Sequence, residues 1–191
     1  MLRNLFTLIL SLIALNTFSQ GRTEWKENYT LTLNDFQAQA PKSQQNGSNS
    51  FSLAASLDFG YAMSNYEFML TKNFNNRVTA YFVPASSWLQ QGESNERLLQ
   101  YAQMQFDLLE LHARKYRKRL YESKNALSNY DFYQKANDAI STEYMNAGVE
   151  MQDAVLESNA KALEYHQKIK KEIAEMAEFC KECKPVKAKK K

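Results

Sequence analysis

The residues that could do chemistry are few and widely spread. The chain of 191 residues holds two His, His112 and His166, and two Cys, Cys180 and Cys183. Neither His has a second His four residues away, which is the spacing that puts two imidazoles on one helix face for a metal. His112, His166, Cys180 and Cys183 together have the donor types of a zinc site, but no sequence spacing joins them, and each His reads as an ordinary packed helix residue. Cys180-Lys181-Glu182-Cys183 is a C-x-x-C with three readings: a local disulfide, a redox dithiol, or half of a zinc site. A zinc site needs a second ligand pair, and a redox motif should open a helix rather than close one. An oxidising compartment favours the disulfide. Ser86-Ser87-Trp88 offers hydroxyls with no His placed beside them. The phosphate-binding and nucleophile-elbow glycine patterns are absent. Asp107, Glu110, Glu143, Glu150 and Asp153 are numerous enough for acid–base work, yet a solvated helix face accounts for them.

Two kinds of periodicity position these residues. Between Trp25 and Trp88 the period is two: Tyr29, Leu31 and Leu33; then Phe51 to Met63; then Tyr66, Phe68 and Leu70; then Val78 to Val83, stopped by Pro84. This predicts an antiparallel meander of about four strands. From Ser94, a plausible N-cap, the period becomes 3.6, with Leu98, Ala102, Phe106, Leu109, Ala113, Tyr116 and Leu120 forming one apolar stripe. A break over residues 123–128 precedes a second helical region, about 130–179, for which Gly148 predicts one interruption. Strands first and helices after give an α+β class with helices packed on one sheet face.

In the first long helix, residues 98–120 (LLQYAQMQFDLLELHARKYRKRL), together with Leu33-Asn34-Asp35-Phe36 and Val78-Thr79-Ala80-Tyr81-Phe82, the chain resembles a bacterial exported domain-of-unknown-function family, number nine-hundred-twenty-two. Its members read L-L-x-H-E-Q-x-H-F-D-I-x-E-x-x-A-R over this helix and are suspected zinc peptidases. Gln103, Phe106, Asp107, Glu110, Ala113 and Arg114 keep that pattern. The resemblance implies a zincin-like fold. In it two His would bind zinc and a Glu would activate the metal-bound water. Here those positions are Tyr101, Ala102 and Gln105, and Val155 falls where a further His is usual. The implied zinc is therefore expected to be lost, leaving no cofactor, no metal ligand and no catalytic residue. Tyr101 and Gln105 are expected to pack toward the sheet.

Export is expected as well. Arg3, the apolar run Leu5–Leu15 and Thr17-Phe18-Ser19 read as a signal peptide cleaved between Ser19 and Gln20. Eleven apolar residues are too few to span a bilayer. Residues 20–180 are then expected to form one domain, followed by a Lys-rich tail over 181–191 that carries six Lys. That tail supplies the basic balance, so the domain is mildly acidic. The internal run Arg114, Lys115, Arg117, Lys118 and Arg119 reads as a solvated face, which argues against nucleic acid. The expected function is a non-catalytic, periplasmic or secreted zincin-like domain that binds a protein partner or serves structurally in the cell envelope. The competing reading is a zinc-dependent or other hydrolase whose catalytic groups the sequence does not identify.

Overall fold

Alternation in the first half of the chain produces less sheet than it suggests. The computed structural model describes residues 21–42, 50–60, 64–124 and 130–185. Ser19, Gln20 and the apolar run before them lie outside the described residues, as do 186–191 of the Lys-rich tail. The principal sheet contains β1 (Thr23–Glu24), β3 (Ala55–Phe59) and β4 (Val78–Phe82), antiparallel in the order β1-β4-β3. β3 and β4 pair from Ala55 opposite Phe82 to Phe59 opposite Val78. Val78, Ala80 and Phe82 alternate inward along β4, as half-buried strands require. A second, two-stranded sheet joins β2 (Phe51–Ser52) to β5 (Trp88–Leu89). The class is α+β. The four-stranded meander is corrected to two small sheets.

Two of the four expected strands are not strands, for local reasons. Tyr66, Phe68 and Leu70 belong to α1 (Asn65–Leu70), whose start is set by the Ser64 hydroxyl accepting the Glu67 N–H. That Ser-x-x-Glu spacing competes with strand pairing. Residues 29–33 have no strand partner. Instead the Leu31 N–H donates to Gln103 Oε1 at 2.9 Å, and Thr32 and Asp35 form a capping box at the following short 3₁₀ turn.

The helical half matches its period closely. α2 (Asn95–Ser123) has Ser94 at its N-cap position. α3 (Tyr130–Glu157) runs unbroken through Gly148, around which an added Cβ would meet nothing within 4 Å. The interruption falls instead at Ser158, whose hydroxyl caps α4 (Asn159–Glu175) by accepting the Lys161 N–H. Ser158 can serve both ends because its side chain replaces a backbone acceptor. α2 lies at the centre. One side meets the sheet through Phe82, Ala102 and Phe106. Its Leu109, Ala113 and Tyr116 pack with Phe59, Phe74, Tyr133 and Ile140. Met104, Leu108 and Leu111 pack with Ala162, Ile169 and Ile173 of α4. Among the described residues no helix is long and apolar enough to cross a membrane.

Candidate functional site

The chemistry-bearing side chains of α2 do not form a solvated face. Asp107, Glu110, Arg114 and Arg117 are all buried, which corrects the expectation for both the carboxylates and the basic run. Helical spacing of three and four residues aligns Gln103, Asp107, Glu110, Arg114 and Arg117 along one strip of the helix. They divide into two linked groups.

The first group centres on Asp107. Its Oδ1 accepts from Trp25 Nε1 at 2.8 Å and from Gln103 Nε2 at 3.0 Å. Its Oδ2 lies 2.7 Å from His166 Nε2 on α4. Both members of the Asp107–His166 pair are more than nine-tenths buried. His166 is therefore not the ordinary helix residue expected from sequence. An imidazole bound to a buried carboxylate is the orienting half of a general-base unit. The other half would be a hydroxyl or thiol on Nδ1, and no described residue donates one there. As built, the pair anchors α4 and the Trp25 segment to α2.

The second group centres on Glu110. Oε1 accepts from Arg114 Nε at 3.0 Å and from Arg117 Nη1 at 2.8 Å. Arg117 also donates to the Val78 carbonyl, from Nη2 at 2.7 Å and Nε at 3.2 Å, and to the Phe179 carbonyl at 3.0 Å. Arg114 Nη1 donates to the Ile173 carbonyl at 2.8 Å. These bonds tie β4, α2 and the end of α4 together. The rest of the basic run is half-exposed and paired: Lys115 with Glu172, Lys118 with Glu122, and Arg119 with Glu143.

The positions where the resemblance would put zinc do not fit the ion. Ala102 is completely buried against the sheet-side cluster and carries no donor. Tyr101 packs on the opposite, α3–α4 side, in the cluster that Val155 also joins. Gln105 is half-buried beside Tyr144 of α3. Tyr101 and Gln105 thus face helices rather than the sheet, because the wide α2 stripe is shared between two partners. A phenol, a methyl, a carboxamide and an isopropyl group are poor zinc donors. Among the described residues no three His, Cys, Asp or Glu side chains converge as a metal-holding group.

His112 is buried and donates Nδ1–H to the Leu108 carbonyl at 2.8 Å, with its ring edge-on to Tyr144 at 5.4 Å. Burial pushes its pKa below the usual 6.5, favouring the neutral ring. It floors a cleft of about 250 Å³ between α2, α3 and α4, bordered by Glu143, Glu150, Tyr165 and Glu172. Burial, and then Glu150, push the Tyr165 hydroxyl up to about 12. Of the cleft's carboxylates, Glu150 is exposed and Glu143 half-buried, whereas Asp153 stands on the exposed surface of α3. Ser87 is buried, but its hydroxyl donates to the Val83 carbonyl and accepts the Ala54 N–H, so it fixes backbone. Cys180 and Cys183 are joined as a disulfide. The turn they close is held by Asn75 Nδ2, 3.0 Å from the Cys183 carbonyl.

Sequence reading missed both buried groups. The Glu110–Arg114 spacing of four and the Glu110–Arg117 spacing of seven were the available signal, since they stack one carboxylate and two guanidinium groups on one side of a helix. Nothing local could place His166 or Trp25. No protein-family model matches the chain, and no curated protein or solved structure is significantly similar to it.

Proposed function

We propose that this chain is an exported, non-catalytic zincin-like domain with a binding or structural role in the cell envelope. The observation that carries the reading is the fate of positions 101, 102 and 105. Tyr101 and Ala102 are spent on packing and Gln105 lies half-buried beside Tyr144, so the groups that hydrolysis would need are missing. Of the motif-like residues that remain, Gln103, Asp107 and Arg114 bond to other elements, and Glu110 holds Arg114 and Arg117 within α2. Elemental analysis of protein refolded with excess zinc, beside a casein assay with and without chelator, tests the loss of function. One tightly held equivalent of zinc, or proteolysis abolished by chelator, overturns it. Export is tested separately by intact mass of protein from its native host, with a mature N-terminus expected near Gln20. Retention of residues 1–19 would contradict it.

One observation favours the competing hydrolase reading. The Asp107–His166 pair at 2.7 Å is the orienting half of a unit that activates a nucleophile. On that reading a chromogenic ester is cleaved by the metal-free protein and Asp107→Asn abolishes the turnover. On the non-catalytic reading the wild type shows no turnover above buffer.

A further inference from the structure

The second buried group is unbalanced in charge. Two guanidinium groups, Arg114 and Arg117, share the one carboxylate of Glu110, and all three side chains are at most 5% exposed. A buried charge without a counter-charge is costly, so something must offset the second cation. The carbonyls of Ile173, Met176, Val78 and Phe179 do part of this. The first two belong to the last turn of α4, where the helix dipole is negative. Arg117 is then complete: all three of its nitrogens donate. Arg114 is not. Its Nε and Nη1 are engaged, and among the described residues Nη2 has no hydrogen-bond partner.

Arg114 lines a cavity of about 320 Å³ between β1, β4, α2 and the disulfide turn, walled by Trp25, Thr79, Arg117 and Cys180. The guanidinium carbon stands 5.5 Å from the centre of the Trp25 ring. Trp25 is itself fixed by its bond to Asp107, so the cavity has a rigid floor with one vacant charged donor. The volume is at the lower end of small-ligand pockets. Its mouth has a different character. Glu24 and Lys181 pair across it at 2.5 Å, while Lys26, Glu27 and Glu182 also line it and stand exposed. The interior therefore carries one surplus positive charge and the mouth one surplus negative charge. A polyanion such as a nucleotide would be repelled at the entrance. A zwitterion with its anionic end inward matches both regions.

We propose that this cavity binds a free α-amino acid, its carboxylate accepting from Arg114 Nη2 and its ammonium group facing Glu27 and Glu182. The site would add a charge-assisted hydrogen bond that the folded chain leaves unmade. The proposal is independent of whether the domain is catalytic, since none of these residues belongs to positions 101, 102 or 105.

Calorimetric titration of the whole mature chain tests it with four probes: L-leucine, leucinamide, 4-methylpentanoate and inorganic phosphate. The expected result is saturable one-to-one binding of leucine. Leucinamide, without the carboxylate, and 4-methylpentanoate, without the amine, should each bind about tenfold more weakly or worse. Phosphate should not compete. The exposed pair Glu27→Lys and Glu182→Lys, which leaves the Glu110 group untouched, should abolish the preference for leucine over 4-methylpentanoate while the melting temperature is kept. The proposal is overturned by absence of saturable heat up to about 10 mM leucine, a range that covers weak metabolite sites. It is equally overturned by leucinamide or 4-methylpentanoate binding as tightly as leucine, by competing phosphate, or by an unchanged preference in the charge-reversed pair.

Discussion

Two stretches of α2, a turn or two apart, have been put to opposite uses. Residues 101–105 meet the neighbouring elements mainly through apolar surface, with Ala102 against the sheet and Tyr101 against α3 and α4. Residues 107–117 meet them through charge: Asp107 holds Trp25 and His166, while Arg114 and Arg117, both paired to Glu110 on the same helix, hold the Ile173, Val78 and Phe179 carbonyls. The first stretch is tolerant in principle to other apolar shapes of the same volume. The second is not, because each partner removed leaves another charge buried alone. Charged residues in the middle of a helix can therefore serve architecture alone.

The sharpest way to break this contrast is to put charge into the apolar stretch. Ala102→Glu inserts a carboxylate where Leu31, Leu53, Phe82 and Phe106 leave no polar partner. It should cost about 5 kcal/mol at pH 7, from neutralising the acid and overpacking the site, and denaturant titration would read it. A loss under about 1 kcal/mol would mean that position 102 can open to solvent. Introducing Tyr101→His, Ala102→Glu and Gln105→His together is for the same reason expected to unfold the chain before it binds zinc.

The converse experiment removes charge from the second stretch. Glu110→Ala leaves Arg114 and Arg117 without their shared carboxylate and should cost about 3–5 kcal/mol. Equal denaturation midpoints for variant and wild type would show that the carbonyls of Val78, Ile173 and Phe179 suffice.

His112 sits between the two regimes, a titratable ring held in an apolar setting. Its folded pKa is lowered, first by burial and secondarily by Lys115, so the folded chain binds fewer protons than the unfolded chain just below pH 6.5. Stability from this group is complete above pH 6.5 and is lost as pH falls from there toward the folded value. His112→Gln should therefore show a flatter melting temperature between about pH 7 and pH 5 than wild type. Parallel curves would assign the acid loss to carboxylates alone.

The smallest effect is expected at the disulfide. Cys180 and Cys183 close a loop with a sequence separation of three, too short to restrict the unfolded chain much. Asn75 and Arg117 already hold the turn through the carbonyls of Cys183, Glu178 and Phe179. Cys180→Ser with Cys183→Ser should shift stability by less than about 1 kcal/mol, whereas a loss above about 2 kcal/mol would mark a structural staple.

What the sequence made legible is what local spacing encodes. The 3.6-residue stripe from Leu98 to Leu120 located α2 within a few residues, because burial on two sides needs that repeat. Alternation located β3 and β4 but also suggested strands at Tyr29–Leu33 and Tyr66–Leu70. There, capping by Thr32 with Asp35 and by Ser64 wins over pairing. The site was less legible. Asp107 and His166 are 59 residues apart, and Trp25 and Asp107 are 82 apart. No periodicity reports such pairs, which only the close packing of α4 and the β1 edge on α2 brings together. Glu143 pairs with Arg119 across helices for the same reason.

The acceptors of Arg114 and Arg117 also impose an order in time. Ile173 and Phe179 lie 59 and 62 residues downstream of the guanidinium groups they receive. While a ribosome is still making α3, both cations have only Glu110 and the Val78 carbonyl to satisfy them, and His166 has not been made. The centre of the molecule cannot close around α2 until synthesis has passed residue 179. At elongation rates of about 5–20 residues per second, the nascent chain waits several seconds with its central helix unsealed.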